Sequence, residues 1–237
     1  MLKKILVLAI AIQFSGCAEL QKVIQNLPNG GGVLSQSQIG NGLRQALENG
    51  IKNQVSKLTL KNGFYKNELV KILLPEELKA VDKGLRKIGL GNLADEGLKV
   101  LNSAAEDAVK TATPIFINAV KEISFADAQT ILLGEKNAAT IYLQTKTNSS
   151  LYSSFTPVIK ESFSKVGADD VWSNLIRKYN SIPFIKKVNP DLTDYVTTQA
   201  LKGVFTMIEV EEKGIREKAG LRNTTLLKQV FALQDSK

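Results

Sequence analysis

A chain of 237 residues, 43% hydrophobic and 23% charged, is long and apolar enough to bury a core and does not have the composition of a disordered polypeptide. It contains no histidine and one cysteine, which excludes imidazole general bases and Ser-His or Cys-His nucleophile pairs; with the cysteine acylated, as argued below, zinc or copper sites built on His and Cys are excluded as well. The net charge of +8 comes from Lys and Arg interleaved with acids, as in "KNELVKILLPEELK" and "EVEEKGIREK", so a mixed solvated surface is expected rather than a nucleic-acid partner, with attraction to anionic lipid headgroups as a lesser role.

The chain opens with Lys3 and Lys4, then "ILVLAIAI" (5–12), then the small pair Ser15-Gly16. Charge, a short apolar run and small residues in that order describe a secretory signal peptide; the run is too short to span a bilayer, which needs about 20 apolar residues. "FSGC" (14–17) resembles a bacterial lipobox, which places the cut before Cys17 and a lipid on its sulfur. Acylation accounts for an exported thiol that has no second cysteine to pair with. Without residues 1–16 the charge is 29 − 23 = +6. Ala18, where an aspartate favours inner-membrane retention, points to the outer membrane, facing the periplasm. Residues 17–38, with "NLPNGGGVLSQSQ", have the composition of a flexible tether.

From residue 39 to 237 the pattern is mainly α, with few strand signals, and a single multi-helix, bundle-like domain is expected. Leu43, Leu47, Ile51, Val55 and Leu58 lie on one helical face, and "KNGF" breaks that helix. An extended piece ends at Leu74; Pro75 with Glu76 and Glu77 suits the start of the next helix, which stops at "KIGLG". Leu98, Leu101, Ala105, Ala108, Ala112, Ile115 and Ala119 form a heptad-like seam of small residues, and Pro114 is expected to kink or split its helix. Ser124 and Asp127 form a capping-box signature ahead of a helix ending at Gly134. Residues 137–147 give a further helix, and the following stretch stays helical to Gly167. Residues 168–182, "ADDVWSNLIRKYNSI", start with acids. Asp191 reads as a cap with Asp194 at the third position, and Leu201, Val204, Phe205 and Ile208 give the apolar face. Glu209–Lys213 and Glu212–Arg216 are expected as surface pairs. Asn223 or Thr224 caps the last helix.

Taken together, "ILLPEELKAVDKGLRKIGLGNLAD", "PIFINAVKEIS", "FADAQTILLG", "AATIYLQTKT", "KVNPDLTDYVTTQALKGVFTMIEVEEKGIRE" and "NTTLLKQVF" resemble a bacterial envelope family, domain of unknown function family 4197. The resemblance implies a helical exported or lipid-anchored protein and carries no catalytic residues with it.

Several residues could carry chemistry, each beside a plainer reading. "GLGNLA" (89–94) has the spacing of a short dinucleotide fingerprint, but it follows a helical pattern, and a helix–helix turn is expected. Ser162 and Lys165 match S-x-x-K in mid-helix. The pairs Asp95-Glu96 and Asp169-Asp170 read as helix-start charges, and Glu211-Glu212 as surface. Asp194, Lys202, Glu211 and Arg216 are the candidates for a polar pocket, against a salt-bridged solvated face. Tyr142, Tyr152, Phe155, Phe163, Trp172 and Tyr179 are candidates for an apolar cleft, Tyr142, Tyr152, Phe155 and Trp172 foremost, against core packing. The sequons at Asn148 and Asn223 read as helix caps. No catalytic residue, metal or cofactor is assigned. The expectation is a lipid-anchored binding protein whose partners are the membrane and either an envelope protein or an apolar small molecule; the alternative is a carboxylate-dependent envelope hydrolase.

Overall fold

A computed structural model describes residues 34–87, 89, 91–167 and 191–235, with scattered positions between 173 and 189. The signal peptide, Cys17, the tether as far as residue 33, Asp169, Asp170, Trp172 and Tyr179 lie outside the described residues. Among the described residues there are eight α-helices and no strand. No helix there is long and apolar enough to cross a membrane.

Helix α1 (Gln36–Leu58) begins three residues before the start read from its apolar pattern. Ser35 accepts from the Gln38 N–H at 3.2 Å while the Gln38 side chain accepts from the Ser35 N–H at 2.8 Å, a capping box hidden in a stretch whose composition suggested a loose tether. Leu34 is already buried, and Leu43, Leu47, Ile51, Val55 and Leu58 form the core face. Residues 59–74 then run through turns and an irregular stretch, with neither helix nor strand. A 3-10 turn, Glu76–Leu78, leads into α2 (Lys79–Lys87).

The alanine seam spans two helices, α3 (Gly91–Val109) and α4 (Ala112–Lys121). The break lies where a continuous helix would require the Pro114 nitrogen to donate to Lys110, which it cannot do. Pro114 falls instead in the first turn of α4, where no donor is needed. Leu101, Ala105, Ala108 and Ala112 are fully buried. Helix α5 (Phe125–Leu133) starts with the expected box: Asp127 N–H to Ser124 Oγ is 3.1 Å, and Ser124 N–H to Asp127 Oδ2 is 2.9 Å.

Helix α6 (Ala138–Lys165) is one element of 28 residues. Asn148, expected to cap a helix, stands exposed in its middle. The reason is a stripe that polar neighbours conceal: Ala139, Leu143, Thr147, Leu151, Phe155, Ile159 and Phe163 are all buried at four-residue steps, so packing holds the helix together across "TNSS". Helix α7 (Thr193–Glu217) begins after Leu192, not after Asp191. Asp191 accepts instead from the Thr193 N–H at 2.8 Å, in a local turn, and Asp194 is the second helical residue. Helix α8 (Thr225–Asp235) is capped by Thr224, which accepts from the Leu227 N–H at 3.1 Å.

Helices α6 and α7 pack along each other at the centre; α3 and α4 lie against α6, and α1 lies against α7 and α8. Phe116 of α4 meets Phe205 of α7 edge-on, with ring centroids 5.8 Å apart.

Candidate functional site

Two concavities lie against α7. The larger, about 360 Å³, is a groove between α6 and α7, within the range of ligand sites. Its α6 wall is Thr140, Gln144, Asn148 and Tyr152, a four-residue step that puts all four on one edge of the helix. The α7 wall supplies a floor of Leu201 and Phe205, each 5% exposed. Thr198, Lys202, Thr206 and Glu209 form its rim. Gln144, Asn148 and Lys202 are exposed and make no hydrogen bond or ion pair among the described residues.

Tyr152 sits at the edge of this groove and donates its hydroxyl to Asp194 Oδ1. That bond, to an acceptor that would repel a phenolate, holds the Tyr152 phenol above its ordinary 10.0. It is therefore a neutral donor at physiological pH and not a base.

The smaller cavity, about 60 Å³, lies between α1, α7 and α8 and is walled largely by apolar side chains such as Leu47, Ile51, Ile208, Leu227 and Phe231. Glu211, Glu212 and Arg216 also line it. Glu211 accepts from Gln54 Nε2, and the other polar atom of that buried amide, Gln54 Oε1, has no partner.

Arg216 and Glu212 are 2% and 4% exposed; the expectation of a surface pair is corrected. Arg216 uses all five of its N–H donors: twice to Glu212, at 3.0 and 2.8 Å, and once each to the carbonyls of Leu132 and Ile131 and to Gln234 Oε1. Glu212 in turn accepts from the backbone N–H groups of Ala139 and Thr140 at 2.9 and 2.8 Å and from the Thr140 hydroxyl at 2.8 Å. Neither has capacity left for a ligand.

The four polar-pocket candidates thus divide between two places. Lys202 lines the groove and Asp194 is held at its edge through Tyr152, whereas Glu211 and Arg216 belong to the small cavity. The aromatic candidates do not converge on a cleft. Phe155 and Phe163 are core residues, which is the packing alternative. Tyr142 is half-buried, with Lys146 Nζ 5.7 Å from its ring centre, about 15 Å along α6 from Tyr152. Ser162 donates to Asp107 at 3.2 Å, and Lys165 pairs with Glu161 at 2.8 Å, so the two are not joined as a dyad. Asp95 lies beyond the first turn of α3, paired with Arg86 at 2.7 Å. Sequence reasoning missed Gln144, Asn148 and Thr198. The four-residue step from Thr140 to Tyr152 was the available signal.

The fold and its groove define an all-helical, bundle-like protein in which the most buried charges serve structural ends. Over residues 33–232 the chain matches the family described as "Protein of unknown function (DUF4197)", and it belongs to that family. Neither the curated proteins nor the solved structures include a significant match to it.

Proposed function

We propose that this chain is a lipid-anchored, non-catalytic binding protein of the cell envelope, held at the outer membrane through Cys17 and facing the periplasm, and that it receives a segment of a partner protein in the groove between α6 and α7. The observation that carries the reading is the groove itself: an apolar floor of Leu201 and Phe205 beneath Gln144, Asn148 and Lys202, whose polar groups have no partner within the described chain. An apolar floor beneath side-chain amides that can both donate and accept suits a peptide segment, whose backbone presents C=O acceptors and N–H donors. The other occupant, a small apolar molecule, suits neither place as well: the groove is rimmed by polar side chains, and the second cavity, at 60 Å³, is well below the ~300 Å³ at which ligand sites begin. The lipid anchor is supported by the order of Lys3-Lys4, the apolar run and "FSGC", and the outer membrane by Ala18.

The hydrolase alternative requires two carboxylates facing each other across one cleft, about 5–9.5 Å apart for a glycosidase. The groove offers Glu209 and, at its edge, Asp194. These stand fifteen residues apart on α7, about 22 Å along its axis, and Glu209 is bonded to Lys213.

Two measurements test the proposal. Incorporation of labelled fatty acid should vanish in Cys17→Ser, and its persistence would refute the anchor. A photo-crosslinking side chain at Gln144 or Asn148 should capture a discrete partner in cells, whereas the same group at exposed Lys228 on α8 should not. Identical adducts from both positions would refute the groove as the binding site.

A further inference from the structure

We propose that residues 59–74 form a docking surface for an anionic lipid bilayer. The proposal depends neither on the groove nor on acylation at Cys17. Most large apolar side chains exposed elsewhere in the described chain stand singly in their elements, such as Ile141, Val166 and Val210, and need no explanation. This segment concentrates three: Leu60 at 64%, Leu69 at 64% and Leu73 at 52% exposure. They are not outward for want of order. Phe64, Val70 and Ile72 of the same segment are buried, and its backbone is fixed at three places. Glu106 accepts the N–H groups of Asn62 and Phe64 at 3.2 and 3.1 Å. Asn102 exchanges two 2.8 Å bonds with Ile72. The Tyr195 hydroxyl donates to the Leu73 carbonyl at 2.8 Å. The leucines are held out of the core by a segment anchored on both sides of them.

Charge identifies what covers them. Between residues 57 and 73 the sequence has Lys57, Lys61, Lys66 and Lys71 against the single acid Glu68, a balance of 4 − 1 = +3. Lys99 of α3 joins them: Lys71 and Lys99 place their ammonium groups 4.7 and 6.0 Å from the centre of the Tyr65 ring. None of these five lysines forms an ion pair among the described residues, although lysines elsewhere in the chain do. Exposed leucines, a tyrosine and unpaired lysines on one fixed segment match the headgroup region of an anionic bilayer: leucines enter the acyl boundary, the ring sits at headgroup depth, and ammonium groups meet phosphates. The segment lies at the opposite end of α1 from Leu34, about 34 Å away. An anchored chain can still lay this end on the same bilayer, because the 34 − 17 = 17 residues from Cys17 to Leu34 reach at most about 60 Å.

The test uses residues 17–237 carrying Cys17→Ser, so that no acyl chain contributes; every described core residue lies at Leu34 or beyond. Co-sedimentation with phosphatidylglycerol–phosphatidylcholine vesicles should exceed that with pure phosphatidylcholine by at least about tenfold and should fall as salt is raised. Lys61→Ser with Lys66→Ser should weaken binding to the anionic vesicles by roughly 25-fold, at about fivefold per lysine, and leave the residual binding to phosphatidylcholine unchanged. Leu69→Ser with Leu73→Ser should weaken both, and a helical circular dichroism spectrum equal to that of the parent chain shows that either pair of changes leaves the fold intact. Equal binding to both vesicle types, no binding to either, or indifference to both pairs of substitutions would overturn the proposal. Loss of an acidic protein partner in the lysine variant, with no vesicle binding by the parent chain, would assign the surface to a protein instead.

Discussion

Glu212 and Arg216 form a fully buried ion pair on α7 that caps two other helices at once. Arg216 meets the last carbonyls of α5 at Ile131 and Leu132, and Glu212 meets the first N–H groups of α6 at Ala139 and Thr140. Each charge thus faces the helix end whose dipole it complements. The α6 start needs this: its cap position, Asn137, makes no side-chain cap bond. The chain between α5 and α6 is therefore closed from outside, by a helix some 80 residues further along. Removing one partner leaves the other charge buried with bare helix ends. Glu212→Ala should cost about 3–5 kcal/mol in urea unfolding and lower Tm by on the order of 10 °C. Arg216→Lys should also destabilise, because an ammonium with three N–H donors cannot replace the five directed bonds of the guanidinium. A loss below about 1 kcal/mol for either would mean that water already reaches the pair.

Glu106 and Asn102 of α3 do for residues 59–74 what Glu212 does for α6. Without the Glu106 carboxylate, the amides of Asn62 and Phe64 lose their acceptors; without the Asn102 amide, Ile72 loses both. Each orphaned buried group costs about 1–3 kcal/mol. In Glu106→Ala, hydrogen exchange at Phe64 should speed up by roughly 10- to 100-fold, while amides in the middle of α6 and α7 keep their rates. Acceleration throughout the molecule would instead show that this segment opens only when everything unfolds.

What could be read from the sequence was local. Ser124 and Asp127 are three residues apart, so the box they form is visible in a single window. Pro114 breaks the alanine seam by a clash within one turn. The apolar face of α1 repeats within its own helix. What could not be read depends on distant chain. The i,i+4 spacing of Glu212 and Arg216 gives a shared helical face but not its direction, because the helix-end groups they satisfy on α5 and α6 lie 72 to 85 residues away. Asn148 looked like a cap because local preference favours it there; the buried stripe of α6 overrides that preference only once α3, α4 and α7 are packed against it. The groove has the same origin, since its two walls come from helices separated by residues 166–192, and the four-residue step from Thr140 to Tyr152 on one wall does not reveal which helix stands opposite.

The box at the start of α5 gives the fold an acid-sensitive contribution. The Ser124 hydroxyl and backbone N–H, both donated to Asp127, hold its carboxyl below the ordinary 3.8. A depressed carboxyl stabilises the fold above its unfolded pKa, and the contribution fades as pH falls through the folded value. Unfolding free energy measured from pH 6 downward should therefore drop below about pH 4, and Asp127→Asn should flatten part of that fall. Ser124→Ala should cost about 1 kcal/mol at neutral pH and remove only the hydroxyl's share of the pH-dependent part, since the backbone N–H still donates to Asp127. If Asp127→Asn leaves the acid limb unchanged, the limb belongs to other carboxylates.

Gly203 allows residues 59–74 to sit against α7. A Cβ there would stand 2.7 Å from Phe64 Cε1 and 3.2 Å from Val70 Cβ, and Phe64, being fully buried, has little room to retreat in a close-packed interior. Helix propensity alone would favour alanine at this mid-helix position by about 1 kcal/mol, so steric conflict and propensity predict opposite signs. The conflict should win: Gly203→Ala is expected to lose about 1–3 kcal/mol, the cost of overpacking. Gly220→Ala, with nothing within 4 Å of its added carbon, should be neutral or slightly stabilising. Thermal unfolding of the two variants side by side decides the matter. A stabilised Gly203→Ala would mean that Phe64 has another rotamer available, and the anchoring of this segment would then rest on Glu106, Asn102 and Tyr195 alone.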